Sequence, residues 1–138
     1  MTSYKKIKEM LIEHEGMKLK PYLCSAGKMT IGVGRNLDDR GITEREAVML
    51  LWGDIKIVLD DLKRLFGGFA DFSEARQMAL VDMRFQLGAG GFRRFKKLIA
   101  AVRENDWTEA ARQVEDSTYF KQVPNRAAWV RERIRAGE

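Results

Sequence analysis

The chain has 138 residues, 45% of them hydrophobic and 33% charged, with two prolines: enough for one compact domain with a real core, and unlike a disordered segment. Its single cysteine excludes an internal disulfide framework and a cysteine-rich zinc site, and its one histidine argues against most histidine-based metal centres. A formal charge of +5 and a pI near 9.5 favour a polyanionic partner such as nucleic acid, an anionic membrane surface or a wall polymer.

Lys5, Lys6 and Lys8 precede the short apolar run Met10-Leu11-Ile12, which Glu13 interrupts. A secretory signal needs an apolar core of about 7–15 residues, so synthesis in the cytoplasm without a signal peptide is expected. No stretch approaches the ~20 apolar residues of a membrane span. Tyr4, Ile7, Met10 and Leu11 recur at helical spacing, which predicts a helix over 4–14 that Gly16 ends, leaving Glu15 at its C-terminal edge.

Residues 17–35 read as short strands and turns: Leu19 and Tyr22, a Ser25-Ala26-Gly27 turn, then Thr30-Ile31-Gly32-Val33. Folded back as a small hairpin sheet, this segment would gather Glu15, Cys24 and Thr30 around one cleft. An acid facing a second polar group across a bond is the requirement of glycoside hydrolysis. Thr43-Glu44-Arg45-Glu46 is a capping-box pattern opening a helix that runs through Trp52 and, past Gly53, to Leu62.

Gly67-Gly68 breaks that helix, and Ser73 caps the next. Its apolar positions Met78, Leu80, Val81, Met83, Phe85 and Leu87 lie on nearly all sides, which predicts a buried central helix ended by Gly88, Gly90 and Gly91. Helices over about 93–104, 107–115 and 126–136 complete the chain. Trp52, Trp107 and Trp129 are expected to pack rather than to stack on sugars. Arg131, Arg133 and Arg135 are expected on a solvated helix face that attracts anionic polymers. The expected architecture is α+β and mostly α, with a small β-containing lobe at about 15–55, a helical lobe at about 56–138 joined by the N-terminal helix, and a cleft between them.

Three motifs carry a family resemblance. His14-Glu15-Gly16 with Leu19-Lys20-Pro21-Tyr22, Gly27 and Thr30-Ile31-Gly32-Val33-Gly34 resembles the opening motif of phage-type lysozymes in glycoside hydrolase family 24. Phe85-Gln86-Leu87-Gly88 resembles the family's central-helix segment, and Gln122-Val123-Pro124-Asn125-Arg126 its late Pro-Asn-Arg turn. The three follow the family's order across nearly the whole chain.

The resemblance implies a lysozyme-like fold and hydrolysis of the β-1,4 bond between N-acetylmuramic acid and N-acetylglucosamine, for host lysis by a phage or prophage. It implies no metal or cofactor, no nucleic-acid partner, no stable membrane insertion and a monomer. The enzyme would act on peptidoglycan strands in the periplasm, released by a holin-like membrane protein. Glu15 matches the general acid and Thr30 the catalytic threonine, while Cys24 falls where the best-known member has an aspartate. Arg126 matches an arginine that pairs with the catalytic glutamate. Gln86 and Tyr119 match cleft-lining positions, and Gly32 lies within the opening motif. Arg35 replaces a histidine whose salt-bridge partner matches Asp54. The alternative is a catalytically silent wall-binding module of the same fold, a reading motivated by Cys24.

Overall fold

The structure, a computed structural model, describes residues 3–138. The chain is mostly helical with one small antiparallel sheet near its N-terminus, an α+β fold. It divides into two compact units between Met49 and Leu50. The N-terminal helix falls in the same unit as the sheet.

The first unit opens with α1 (Tyr4–Glu15). Ser3 caps it by accepting the Lys6 amide at 3.2 Å, and Gly16 stops it, its φ of 76° being a conformation that side-chain-bearing residues avoid. Tyr4, Ile7, Met10 and Leu11 share a face as the spacing predicts, yet no residue of α1 is buried. β1 (Lys18–Leu23), β2 (Met29–Gly32) and β3 (Arg35–Asn36) form a sheet in the order β1-β2-β3. Tyr22 faces Thr30 and Leu23 faces Met29, with a register irregularity between Lys18 and Tyr22. Pro21 sits in edge strand β1, where its missing amide proton is tolerated.

The predicted capping box forms. Thr43 Oγ1 accepts the Glu46 amide at 3.1 Å, and Glu46 Oε1 accepts the Thr43 amide at 2.9 Å. These bonds start α2 (Glu44–Leu65), which runs through Gly53 without a break.

The second unit is helical. After α2 and a short 3-10 turn (Phe69–Asp71) come α3 (Glu74–Arg93), α4 (Lys96–Arg103), α5 (Trp107–Glu115), α6 (Thr118–Gln122) and α7 (Pro124–Ala136). Leu62, Phe66, Leu80, Met83, Phe92 and Ile134 lie in its fully buried core. Phe66 meets Phe92 edge-on at 6.5 Å, and Phe72 meets Trp107 edge-on at 4.9 Å, geometries that aromatic quadrupoles favour.

Several expectations fail here. α3 is not apolar all round: Ala79, Leu80 and Met83 are buried, but Met78 and Phe85 are exposed, and the charged Arg84 is buried. Gly88 does not end α3 but kinks it at φ 75°, ψ 169°, after which helical turns resume to Arg93. The short helix α6, capped by Ser117, is not legible in the sequence because five residues carry too little periodicity. Trp52 is exposed rather than packed. The C-terminal arginines are partly neutralised: Arg131 and Arg135 pair with Glu132, and Arg133 stacks on Trp129.

Candidate active site

Glu15 is the last residue of α1, presented there because Gly16 turns the chain away. Its side chain is exposed and lies over Gly34. A Cβ at position 34 would stand 3.1 Å from Glu15 Oε2, and Gly34 has a φ of 66°. Glycine is therefore required there both for the turn and for the approach of the carboxylate. Gly32 also has a positive φ (68°), with nothing among the described residues within 4 Å of its missing Cβ, so glycine serves conformation there.

Cys24 and Thr30 meet at the β1–β2 turn. The Cys24 amide donates to the Lys28 carbonyl at 2.9 Å, and the Gly27 amide donates back to the Cys24 carbonyl at 2.9 Å, closing the loop. Thr30 is buried, and its hydroxyl donates to the Lys28 carbonyl at 2.8 Å. Hydrogen bonds to the sulfur from the backbone of Lys28, then of Ala26, hold the half-buried Cys24 thiol below its ordinary pKa. Burial opposes them weakly, and the Thr30 hydroxyl adds a smaller lowering. Thr30 has one hydroxyl proton, so a rotation moves it between the Lys28 carbonyl and the sulfur.

The pairing inferred for Arg35 is corrected. Its guanidinium forks onto Glu46 with bonds of 2.8 and 2.7 Å, and donates to the Gly41 carbonyl at 3.3 Å. Glu46 takes the place assigned to Asp54 because the capping box already fixes its carboxylate at the start of α2, where a planar fork engages both oxygens. Arg35, first, and then the Thr43 amide and hydroxyl hold the Glu46 carboxyl down to about 2. Asp54 lies further along α2 on an exposed position, and its carboxylate has no hydrogen bond or ion pair among the described residues.

The remaining candidates belong to the helical unit. Arg126, in the first turn of α7 behind Pro124, grips Asp82 of α3 with bonds of 2.9 and 2.8 Å. Hydrogen bonding to Asp82 raises the Arg126 pKa further. The pair borders an apolar cavity of about 550 Å³ whose walls include Met78, Phe85 and Trp129. Gln86 is exposed on α3 just before the Gly88 kink. Tyr119 is buried, and its hydroxyl has no partner among the described residues. Burial, followed by the charge of Asp82, pushes its phenol pKa up.

One charged cluster went unnoticed in the sequence. Asp61 on α2, almost fully buried, accepts Arg84 Nε at 2.7 Å and a bond from Arg93, and Arg64 stands 3.6 Å away. An Arg in the middle of an apolar helix was the available signal, since a buried charge needs a counter-ion.

The family model described as phage lysozyme matches residues 12–131, a span that includes every candidate residue above. Among similar proteins, Probable T4-type lysozyme 2 of Dictyostelium discoideum is 29% identical over 151 aligned residues, covering 88% of each chain. Probable T4-type lysozyme 1 of the same organism is 29% identical over 150, again covering 88% of each. The pre-baseplate central spike protein Gp5 of Enterobacteria phage T4 is 29% identical over 150 residues, covering 88% of this chain and 26% of that protein.

Proposed function

The chain belongs to the phage lysozyme family, and from that premise we propose that it is a muramidase cleaving the β-1,4 bond between N-acetylmuramic acid and N-acetylglucosamine. The observation that carries this reading is the first unit itself. One compact segment holds an exposed carboxyl seated over Gly34 and a thiol–hydroxyl pair at the β1–β2 turn.

A glycosidic oxygen leaves poorly until it is protonated, so Glu15 acts as general acid. In direct displacement a water must attack C1 from the opposite face of the ring. Thr30 and Cys24 hold that water between hydroxyl and sulfur. Thr30 alone is too weak a base to ionise it, whereas the Lys28 and Ala26 backbone lowers the Cys24 pKa and so raises the fraction present as thiolate, a better proton acceptor than a neutral hydroxyl. The product is then inverted. A thiolate attack on the sugar would give retention through a thioglycoside, so the anomer formed first, read by NMR, separates the two courses. Gln86 is assigned to contact a sugar. Arg126 is held by Asp82 and serves through that pair, not as a free cation. The biological setting assigned is lysis of a host by a phage or prophage, with a membrane-permeabilising partner releasing the enzyme to the wall.

Cys24 in place of a carboxylate favours the second reading, a silent wall-binding module. Digestion of purified peptidoglycan by wild type, Glu15→Gln and Cys24→Ala decides between them, with products identified by mass spectrometry. Fragments ending in reducing muramic acid, absent with Glu15→Gln, are the expected outcome. Binding to wall without any fragments would establish the silent module.

A further inference from the structure

The loop that follows β3 carries two carboxylates, Asp38 and Asp39, that the mechanism above does not use. Both are exposed, yet both turn back onto the start of the strand that bears Thr30. Asp38 Oδ2 accepts the Met29 amide at 2.7 Å, and Asp39 Oδ1 accepts Lys28 Nζ at 3.2 Å. The loop is itself held in shape. The Asp39 amide donates to Asn36 Oδ1 at 2.9 Å, an Asx turn, and the Asn36 side-chain amide donates back to Asp39 Oδ2 at 3.0 Å. Asn36 in turn pairs with Thr30 across the sheet, and the Leu37 amide donates to the Met29 carbonyl at 2.7 Å.

The Met29 N–H and the Lys28 C=O belong to one planar peptide group, so holding one end sets the direction of the other. That carbonyl accepts the Cys24 amide at 2.9 Å and the Thr30 hydroxyl at 2.8 Å, which occupies both of its lone pairs. A carboxylate on the N–H end makes a charge-assisted bond. Bonds in series polarise one another, so the carbonyl becomes a stronger acceptor. With its single proton committed there, the Thr30 oxygen can only accept. A water that donates to it keeps its own lone pairs for attack on carbon. The backbone of the same Lys28 is also the first cause of the lowered Cys24 thiol pKa.

We infer that Asp38 is a positioning residue for the reaction: through the Lys28–Met29 peptide it fixes the Thr30 hydroxyl as an acceptor for the attacking water and keeps Cys24 on the Lys28 backbone. Among the described residues Asp38 bonds to neither the thiol nor the hydroxyl, so it acts at one remove. Its effect on turnover rests on the muramidase reading, whereas its effect on the thiol does not.

The test compares Asp38→Ala, which removes the acceptor, with Asp38→Asn, which keeps a neutral one. The position is exposed, and circular dichroism verifies that each variant is folded. In Asp38→Ala, hydrogen exchange at the Met29 amide should quicken about tenfold or more. Alkylation of Cys24 by iodoacetamide at pH 7 should slow about threefold, with its pH midpoint shifted upward by more than Thr30→Val shifts it. Digestion of soluble uncrosslinked glycan strands should lose about tenfold in kcat with KM unchanged. Asp38→Asn should recover most of each loss. Unchanged Met29 exchange, or alkylation that stays at the wild-type rate while Met29 exchanges faster, would overturn the assignment. So would a raised KM with kcat kept, which would put Asp38 against the substrate instead. Exchange and alkylation are read without substrate, so their failure counts against Asp38 alone, and a wild type that digests no glycan counts against the muramidase reading alone.

Discussion

Asp61→Ala should be among the most damaging single substitutions in the helical unit, for an electrostatic reason. The Asp61 side chain is 3% exposed and that of Arg84 8%, so the change strands a guanidinium inside the core. Losing one partner of such a buried pair costs about 3–5 kcal/mol. Arg64 and Arg93 soften nothing and add little, because both reach solvent (73% and 45% exposed); exposed pairs contribute about 0–1 kcal/mol. Arg84 borders a cavity of about 210 Å³, roomy enough for water, which places the expected loss toward the lower end, about 3 kcal/mol. Against a total stability of about 5–15 kcal/mol that is a large fraction. In thermal terms it is a fall of roughly 10 °C. Urea unfolding followed by circular dichroism gives the number. Asp61→Ala combined with Arg84→Met removes both charges and should recover most of the loss, since apolar replacement of a buried pair is often neutral or stabilising. A single variant within about 1 kcal/mol of wild type, or a double variant no better than the single, would refute the electrostatic account.

Gly34→Ala should keep the fold, at a cost of about 1–2 kcal/mol for the left-handed backbone, while displacing the Glu15 carboxylate that lies 3.1 Å from the new Cβ. Wall digestion should fall about tenfold or more, because small misplacements of a reacting group are costly; undiminished digestion would remove Glu15 from the chemistry. Glu46, held down to about 2, contributes stability that is fully present above its ordinary value of 4.5 and is lost as pH falls toward 2. Wild type should therefore exceed Glu46→Gln in urea midpoint at pH 6, with the gap closing near pH 2; a gap independent of pH would contradict the ion pair. Alkylation of Cys24 by iodoacetamide should have a pH midpoint below that of an unperturbed cysteine, and Thr30→Val should raise it only slightly, since the Lys28 and Ala26 backbone bonds dominate. A midpoint at or above the ordinary value would exclude thiolate assistance.

Local features could be read directly from the sequence. Gly16 ends α1 and presents Glu15 because a positive φ at that point suits glycine alone. The Thr43–Glu46 capping box opens α2, and the strand-turn-strand character of 17–36 forms the sheet carrying Cys24 and Thr30. Each depends on residues within a few positions of one another, and so does a motif match. What only tertiary structure decided are the partners chosen across the chain. Arg35 binds Glu46, not Asp54. Arg126 is taken by Asp82, 44 positions away, and Arg84 is drawn into the core by Asp61, 23 away. Burial was undecided for the same reason. α3 alternates core and solvent faces that hydrophobicity alone made equivalent, so Met83 is buried while Phe85 is exposed. A guanidinium or an aromatic ring has the same chemistry wherever it stands. Which carboxylate it meets, and whether water reaches it, depends on the packing of helices distant in sequence, which no local pattern encodes.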